Sequence, residues 1–177
     1  MRLKKGQVAP NFLVKDYYGN DVSIDALKGQ KVLLSFYRYA SCPLCNLRIH
    51  NIINKMDYFR ERNLNVIAVF QSPLESMKQY VGNQEVPFPL ISDPEWKLYK
   101  KYGVQTSFMG LIKAVFKRMG ELKKAGKKGF KIGKSDGKMT TIPADFLINE
   151  QGQIEVDYYG ADIGDHLPFE RIMEWIK

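Results

Sequence analysis

The sequence predicts an α/β protein in which a mixed central β-sheet is flanked by helices. Three observations carry this. Two near-continuous apolar runs, Lys31 to Arg38 and Asn65 to Phe70, have the composition of strands covered on both faces. Between them, from Pro43 onward, the apolar period becomes that of a helix. Near the C-terminal end, Glu150-Gln151-Gly152 turns one strand into the next and adds an antiparallel pair.

The elements follow in order. Asn11 to Val14 and Asp21 to Ile24 are short strands joined through the turn Tyr18-Gly19-Asn20. Asp25 to Lys28 forms one helical turn, stopped by Gly29. After the first long strand, Leu44, Leu47, Ile49, Ile52, Ile53, Met56 and Phe59 recur at helical spacing to about Glu61. Ser72 with Glu75 is a capping-box pattern and opens a helix to about Val81. Pro87 and Pro89 make a loop that enters a short strand. Asp93-Pro94 opens a helix through Tyr102, with Gly103 as its stop. Phe108, Ile112, Val115, Phe116, Met119 and Leu122 form an apolar stripe opposed by lysines, an amphipathic basic helix whose stripe is expected to dock on the core. Lys123 to Thr141 is Gly- and Lys-rich and reads as a surface excursion. Phe146 to Ile148 and Ile154 to Tyr158 are strands, and Asp165 to Ile176 is a closing helix. Helix-linked strands pair in parallel, and the late hairpin supplies the antiparallel members.

At 177 residues the chain suits one domain. No run of about 18 apolar residues exists to span a membrane. The first residues lack the apolar core of a secretory signal, so a cytoplasmic location is expected. The net charge of +8 is local: Lys113 to Lys138 holds ten Lys/Arg and two acids, and the rest of the chain balances to zero.

Cys42 and Cys45 are the sole cysteines, set as Cys42-Pro43-Leu44-Cys45. Cys42 falls just beyond a buried strand, and Pro43 suits the first helical position. The free amides and positive dipole end there favour an anion, which lowers a thiol's pKa and exposes the reactive thiolate. Cys45, three residues on, shares the helix face and lies within disulfide reach. One sulfur attacks and the other resolves. Arg38 and Arg48 are candidate sources of nearby positive charge, and Ser41 is a polar neighbour. Three alternatives stand beside this. A structural disulfide closes too short a loop to stabilise much. A zinc site needs two more ligands, and only His50 and His166 are available. Two inert buried thiols are the third. His50 reads as a helix-packing residue. In Thr141-Ile142-Pro143-Ala144-Asp145, Pro143 reads as a strand-entrance proline. A cis bond there would expose Ile142 backbone groups to a partner chain. Asp145 reads as solvated or hydrogen-bonded.

Several stretches resemble a known family. Gly6 to Phe12, Gly19, Leu27-Lys28-Gly29, the Val32 to Phe36 strand and the Cys42 motif resemble the opening of AhpC/TSA peroxiredoxins. Phe36-Tyr37-Arg38 through Cys42-Pro43-Leu44-Cys45-Asn46-Leu47-Arg48 resembles the subgroup called peroxiredoxin-like. Pro143, Phe146 to Asn149 and Gly152 resemble the cis-proline strand of thioredoxin-like proteins. The resemblance implies one thioredoxin-like domain over residues 1–177 with a basic insertion at about 107–141. It also implies a cis Pro143 opposite the cysteines. Three positions depart from the peroxiredoxin pattern. Tyr39 stands where a Thr or Ser precedes the peroxidatic cysteine, Ser35 stands for a proline, and Pro143 stands where the late strand begins with an arginine. With Pro143 and without that arginine, the site looks closer to a dithiol–disulfide exchanger.

The expected function is a thiol-dependent oxidoreductase with antioxidant, peroxiredoxin-like activity. Cys42 and Cys45 are its catalytic pair, and Pro43, Arg38, Ser41, Arg48, Ile142 and Pro143 support them. Peroxide or disulfide is the substrate, a thioredoxin-like or glutathione-like thiol is the reductant, and no metal or organic cofactor is required. A disulfide exchanger without peroxidase activity is one alternative. A non-catalytic binding module that uses segment 113–138 is another, although nucleic acid and anionic membrane are not the expected partners.

Overall fold

A computed structural model describes residues 1–130 and 133–177, and of Val115 and Phe116 only the backbone. Lys131 of the basic segment lies outside the described residues. A small hairpin, β1 (Leu13–Lys15) and β2 (Asp21–Ser23), precedes a 3-10 turn at Asp25–Leu27. Gly29, at φ 88°, closes that turn in the left-handed region open to glycine. Then follow β3 (Lys31–Phe36), α1 (Pro43–Ile53), α2 (Met56–Arg60) and β4 (Leu64–Phe70). Next come α3 (Leu74–Gln79), β5 (Leu90–Ser92), α4 (Lys97–Lys101), α5 (Phe108–Lys117) and α6 (Met119–Lys127). The chain closes with β6 (Ala144–Ile148), β7 (Ile154–Tyr159) and α7 (Phe169–Trp175).

The sheet runs β5-β4-β3-β6-β7. β3, β4 and β5 are parallel, and β6 and β7 pair antiparallel. Alternation across the pleat explains why the central strands are apolar throughout. Leu33, Tyr37, Val66, Ala68 and Leu147 pack toward α1 and α7. Val32, Leu34, Phe36, Ile67, Val69 and Phe146 pack on the opposite face, against Tyr99 and Tyr102. The same alternation sets Ser35, Tyr37 and Asp145 on the α1 side, with Ser35 and Asp145 directly paired across β3 and β6.

Several expectations are corrected. The helix expected from Pro43 to about Glu61 breaks at Asn54 and Lys55, where Lys55 donates to Ile52, three residues back, and Asn54 turns its side chain onto His50. Ser72 does not cap α3, whose first residue follows Pro73. Its hydroxyl accepts from the Ala40 amide at 2.7 Å and donates to Asp136 at 2.6 Å. Asp93 caps later than expected: its carboxylate accepts the amides of Lys97, Leu98 and Tyr99, after Trp96 passes through a left-handed conformation at φ 61°. The amphipathic helix is two helices hinged at Arg118. Its stripe is only partly docked: Phe108, Ile112 and Met119 are exposed while Leu122 packs on the core, and α5 turns Ala114, a residue outside the stripe, inward. Of the expected surface excursion, Lys123–Lys127 belongs to α6, whereas segment 133–141 stays at the surface and packs across the sulfur end of α1. The closing helix begins only at Phe169, because the preceding loop is held by Asp145. No helix is long and apolar enough to cross a membrane among the described residues.

Candidate functional site

The site forms where β3 hands over to α1. Cys42 is the residue before the helix, in an extended conformation, and Pro43 follows at the first helical position. No side chain caps this end, so the amides of Leu44 and Cys45 are free to donate to the Cys42 sulfur. The loop leading in is braced by Asn46, whose Nδ2 donates to the carbonyls of Ala40 at 2.6 Å and Cys42 at 3.0 Å. Both cysteines are buried free thiols.

Arg38 is the cation at the sulfur. Its Nη1 lies 3.4 Å from Cys42 Sγ, and its Nη2 donates to the Met139 carbonyl at 2.6 Å, which fixes the guanidinium. The two thiols therefore diverge. Burial alone would push Cys42 up. The hydrogen bond from Cys45, the Arg38 charge and the helix amides outweigh it and bring Cys42 to about 6. Cys45 is driven well above the ordinary thiol range, first by burial and then by its role as donor to Cys42. The pair is arranged as one thiolate and one thiol.

Cys42 opens onto an apolar cavity of about 160 Å³. Arg38, Tyr39 and Leu44 line one side. Leu111 and Ala114 of α5, Leu122 of α6, Met139 and Ile163 line the other.

Beneath the sulfurs lies a buried polar cluster. Asp145 is fully buried and hydrogen-bonded, the second of the two readings its sequence allowed. Its carboxylate accepts the Leu167 amide at 2.7 Å and faces His166 Nδ1 at 3.0 Å. Burial works against its charge, but the contact with His166 and the charge of Arg48 hold it below the ordinary carboxylate range. Tyr37 lies against the His166 ring, with centroids 4.7 Å apart. Among the described residues, the hydroxyls of Ser35 and Tyr37 and Nε2 of His166 have no hydrogen-bond partner.

The other sequence candidates divide. Arg48 does not reach the sulfurs: it donates to the Leu167 carbonyl at 2.7 Å and stacks on Phe169. Ser41 donates to the Lys134 carbonyl at 2.8 Å, which ties segment 133–141 to the site and leaves its hydroxyl committed. The bond preceding Pro143 is trans, not cis. The Ile142 amide donates to the Gln105 carbonyl at 2.9 Å, so that amide is tied to the chain's own backbone. Its side chain packs with Ala114 and Ile163, behind the cavity wall. His50 meets Lys128 and Asn54 at the outer side of α1. The sequence reading missed Asn46 and Met139 as parts of the site and offered His166 only as a possible zinc ligand. Asn46, in an otherwise apolar helix face one turn past Cys42, was the legible signal.

A pair of free thiols at the head of a helix, on a mixed sheet of this order, is the arrangement of a thioredoxin-fold thiol oxidoreductase. Residues 5–156 match the AhpC/TSA family, and the chain belongs to it. It is 29% identical over 110 residues to peroxiredoxin Bcp of Escherichia coli K12, which covers 61% of this chain and 70% of that protein. It is 30% identical over 111 residues to chloroplastic peroxiredoxin Q of Triticum aestivum, covering 63% of this chain and 51% of that one. The crystal structure of peroxidoxin BcpB from Mycobacterium tuberculosis superposes with a TM-score of 0.71 at 16% identity, over 99% of this chain and 97% of that one, a likeness of fold. The chain is accordingly a thiol-dependent oxidoreductase of the peroxiredoxin-like kind.

Proposed function

We propose that Cys42 is the attacking thiolate and Cys45 the resolving thiol of a small-molecule peroxidase. The observation that carries this reading is the Arg38 guanidinium 3.4 Å from the Cys42 sulfur. It supplies the positive charge that the strand position held by Pro143 lacks. Cys42 attacks the terminal peroxide oxygen, the O–O bond breaks, and the departing oxygen leaves with a proton as water or alcohol. Cys42 becomes a sulfenic acid. Cys45 attacks that sulfur, water leaves, and an intramolecular disulfide remains. An external thioredoxin-like or glutathione-like thiol returns two electrons. Arg38 and the amides of Leu44 and Cys45 hold the thiolate, while Pro43 and Asn46 shape the helix end. No metal or organic cofactor enters these steps. A single domain with segment 107–141 as its cover, in a cytoplasm that keeps thiols reduced, is part of the same reading.

Peroxide is favoured over a protein disulfide by access. Cys42 is 1% exposed and reached only through a small, partly open apolar cavity. A small peroxide fits such a space, whereas a protein disulfide would require Met139 and α5 to move. The test mixes reduced protein with hydrogen peroxide and follows thiol loss. The expected result is rapid loss of both thiols, abolished in Cys42→Ser and halted at a sulfenic acid in Cys45→Ser. Oxidation no faster than that of free cysteine contradicts the proposal.

A further inference from the structure

We infer that the outer face of the α5–α6 pair docks on an anionic lipid surface. This rests on exposed side chains and charge, independently of the thiol chemistry above. At about 100° per residue, the inward arc of α5 holds Gly110, Leu111 and Ala114. The outward arc runs Phe108, Ile112, Met109, Lys113, Lys117. Phe108 is 68% exposed and Met109 60%. On α6 the outward residues are Met119, which is 52% exposed, with Lys123, Lys124 and Lys127.

Single exposed apolar side chains are ordinary, but here they share one arc with a border of cations. α5 contains no acid. The one acid of α6, Glu121, is held by Arg118 at 2.8 Å. None of Lys113, Lys117, Lys123, Lys124 and Lys127 joins an ion pair among the described residues, so the face carries uncompensated positive charge. Unpaired lysines beside exposed Phe, Met and Ile are the pattern of a helix lying in a membrane interface. An acidic protein would neutralise the lysines but needs a matching pocket for each apolar side chain. A bilayer takes both together, headgroups for the lysines and the acyl boundary for Phe108, Met109 and Ile112. The inner faces of the same helices wall the Cys42 cavity through Leu111, Ala114 and Leu122. Docking therefore places that cavity one helix diameter from the lipid.

The experiment is co-sedimentation of the full chain with vesicles of phosphatidylcholine alone or with about a third phosphatidylglycerol, at low and high salt. Binding is expected to the anionic vesicles at low salt, with at least tenfold loss at high salt or without anionic lipid. Phe108→Ser with Ile112→Ser, and separately Lys113→Glu with Lys117→Glu, should each reduce it about tenfold or more while helix content and peroxide-driven thiol loss stay as in the parent. No binding to anionic vesicles at low salt overturns the inference. So does binding indifferent to Phe108 and Ile112, or matched by an equal charge of duplex DNA, since either reduces the face to a plain cation patch. Loss of thiol reactivity with vesicle binding intact would sink the peroxidase reading and leave this one standing.

Discussion

The two sides of the thiol pair are built to opposite rules. Beneath it, the sheet supplies a closed polar cluster, with Asp145 fully buried and joined to His166 at 3.0 Å. Above it, α5, α6 and segment 133–141 supply a cover whose inner wall is apolar, held by packing of Ala114, Leu122 and Ala125, by Arg118 ion pairs to Asp162 and Asp165, and by hydrogen bonds such as Ser41 to Lys134 and Arg38 to Met139. The sulfurs are equally buried, yet Cys42 is pulled down to about 6 and Cys45 pushed up. Burial therefore does not decide which thiol ionises first. The asymmetry comes from the hydrogen bond Cys45 gives to Cys42, from Arg38 lying 3.4 Å from the Cys42 sulfur, from the helix amides, and from the Cys42 charge itself, which opposes a second charge on Cys45.

The comparison can be broken at several points. The largest effect is chemical: Cys42→Ser should abolish peroxide-driven thiol loss at Cys45, read by thiol titration, while Cys45→Ser leaves one oxidation intact. The next is thermodynamic. Asp145→Ala removes one partner of a buried pair and strands His166 and the Leu167 amide, so denaturant unfolding should show a loss of about 3–5 kcal/mol. The depressed Asp145 carboxyl contributes stability above its unfolded pKa, about 3.9, and loses it as pH falls through the lower folded value. The parent should lose part of its stability in that acid window and Asp145→Ala should not. A cover-side change is smaller: Ser107→Ala removes the hydroxyl that accepts the Gly110 amide at the start of α5 and should cost about 1 kcal/mol. Smallest of all, Phe108→Ser at an exposed position should shift unfolding within about 0.5 kcal/mol.

The sheet was readable because its strands are covered on both faces and carry unbroken apolar runs. The helix start at Pro43 was readable because proline and the change of period coincide. What escaped the sequence depended on long-range contacts. Nothing local marks Asp145 as buried, since its partners His166 and Leu167 lie some twenty residues downstream on a loop. The role of Ser72 was misread because its hydroxyl is taken by Ala40 and Asp136, not by its own helix. Segment 133–141 looked like solvent-facing chain, and only tertiary contacts to Arg38, Ser41 and Gln71 place it over the sulfur. Pro143 was expected cis from likeness alone, while the hydrogen bond of Ile142 to Gln105 reflects this chain's own packing.

The most direct test of the account is the pH dependence of Cys42 alkylation by a small reagent, alongside Arg38→Met. The parent rate should rise through a midpoint near 6 and level off above it. Arg38→Met should move the midpoint toward the free-thiol value of about 8.5. A parent midpoint already at that ordinary value, or one unmoved by loss of Arg38, would contradict it.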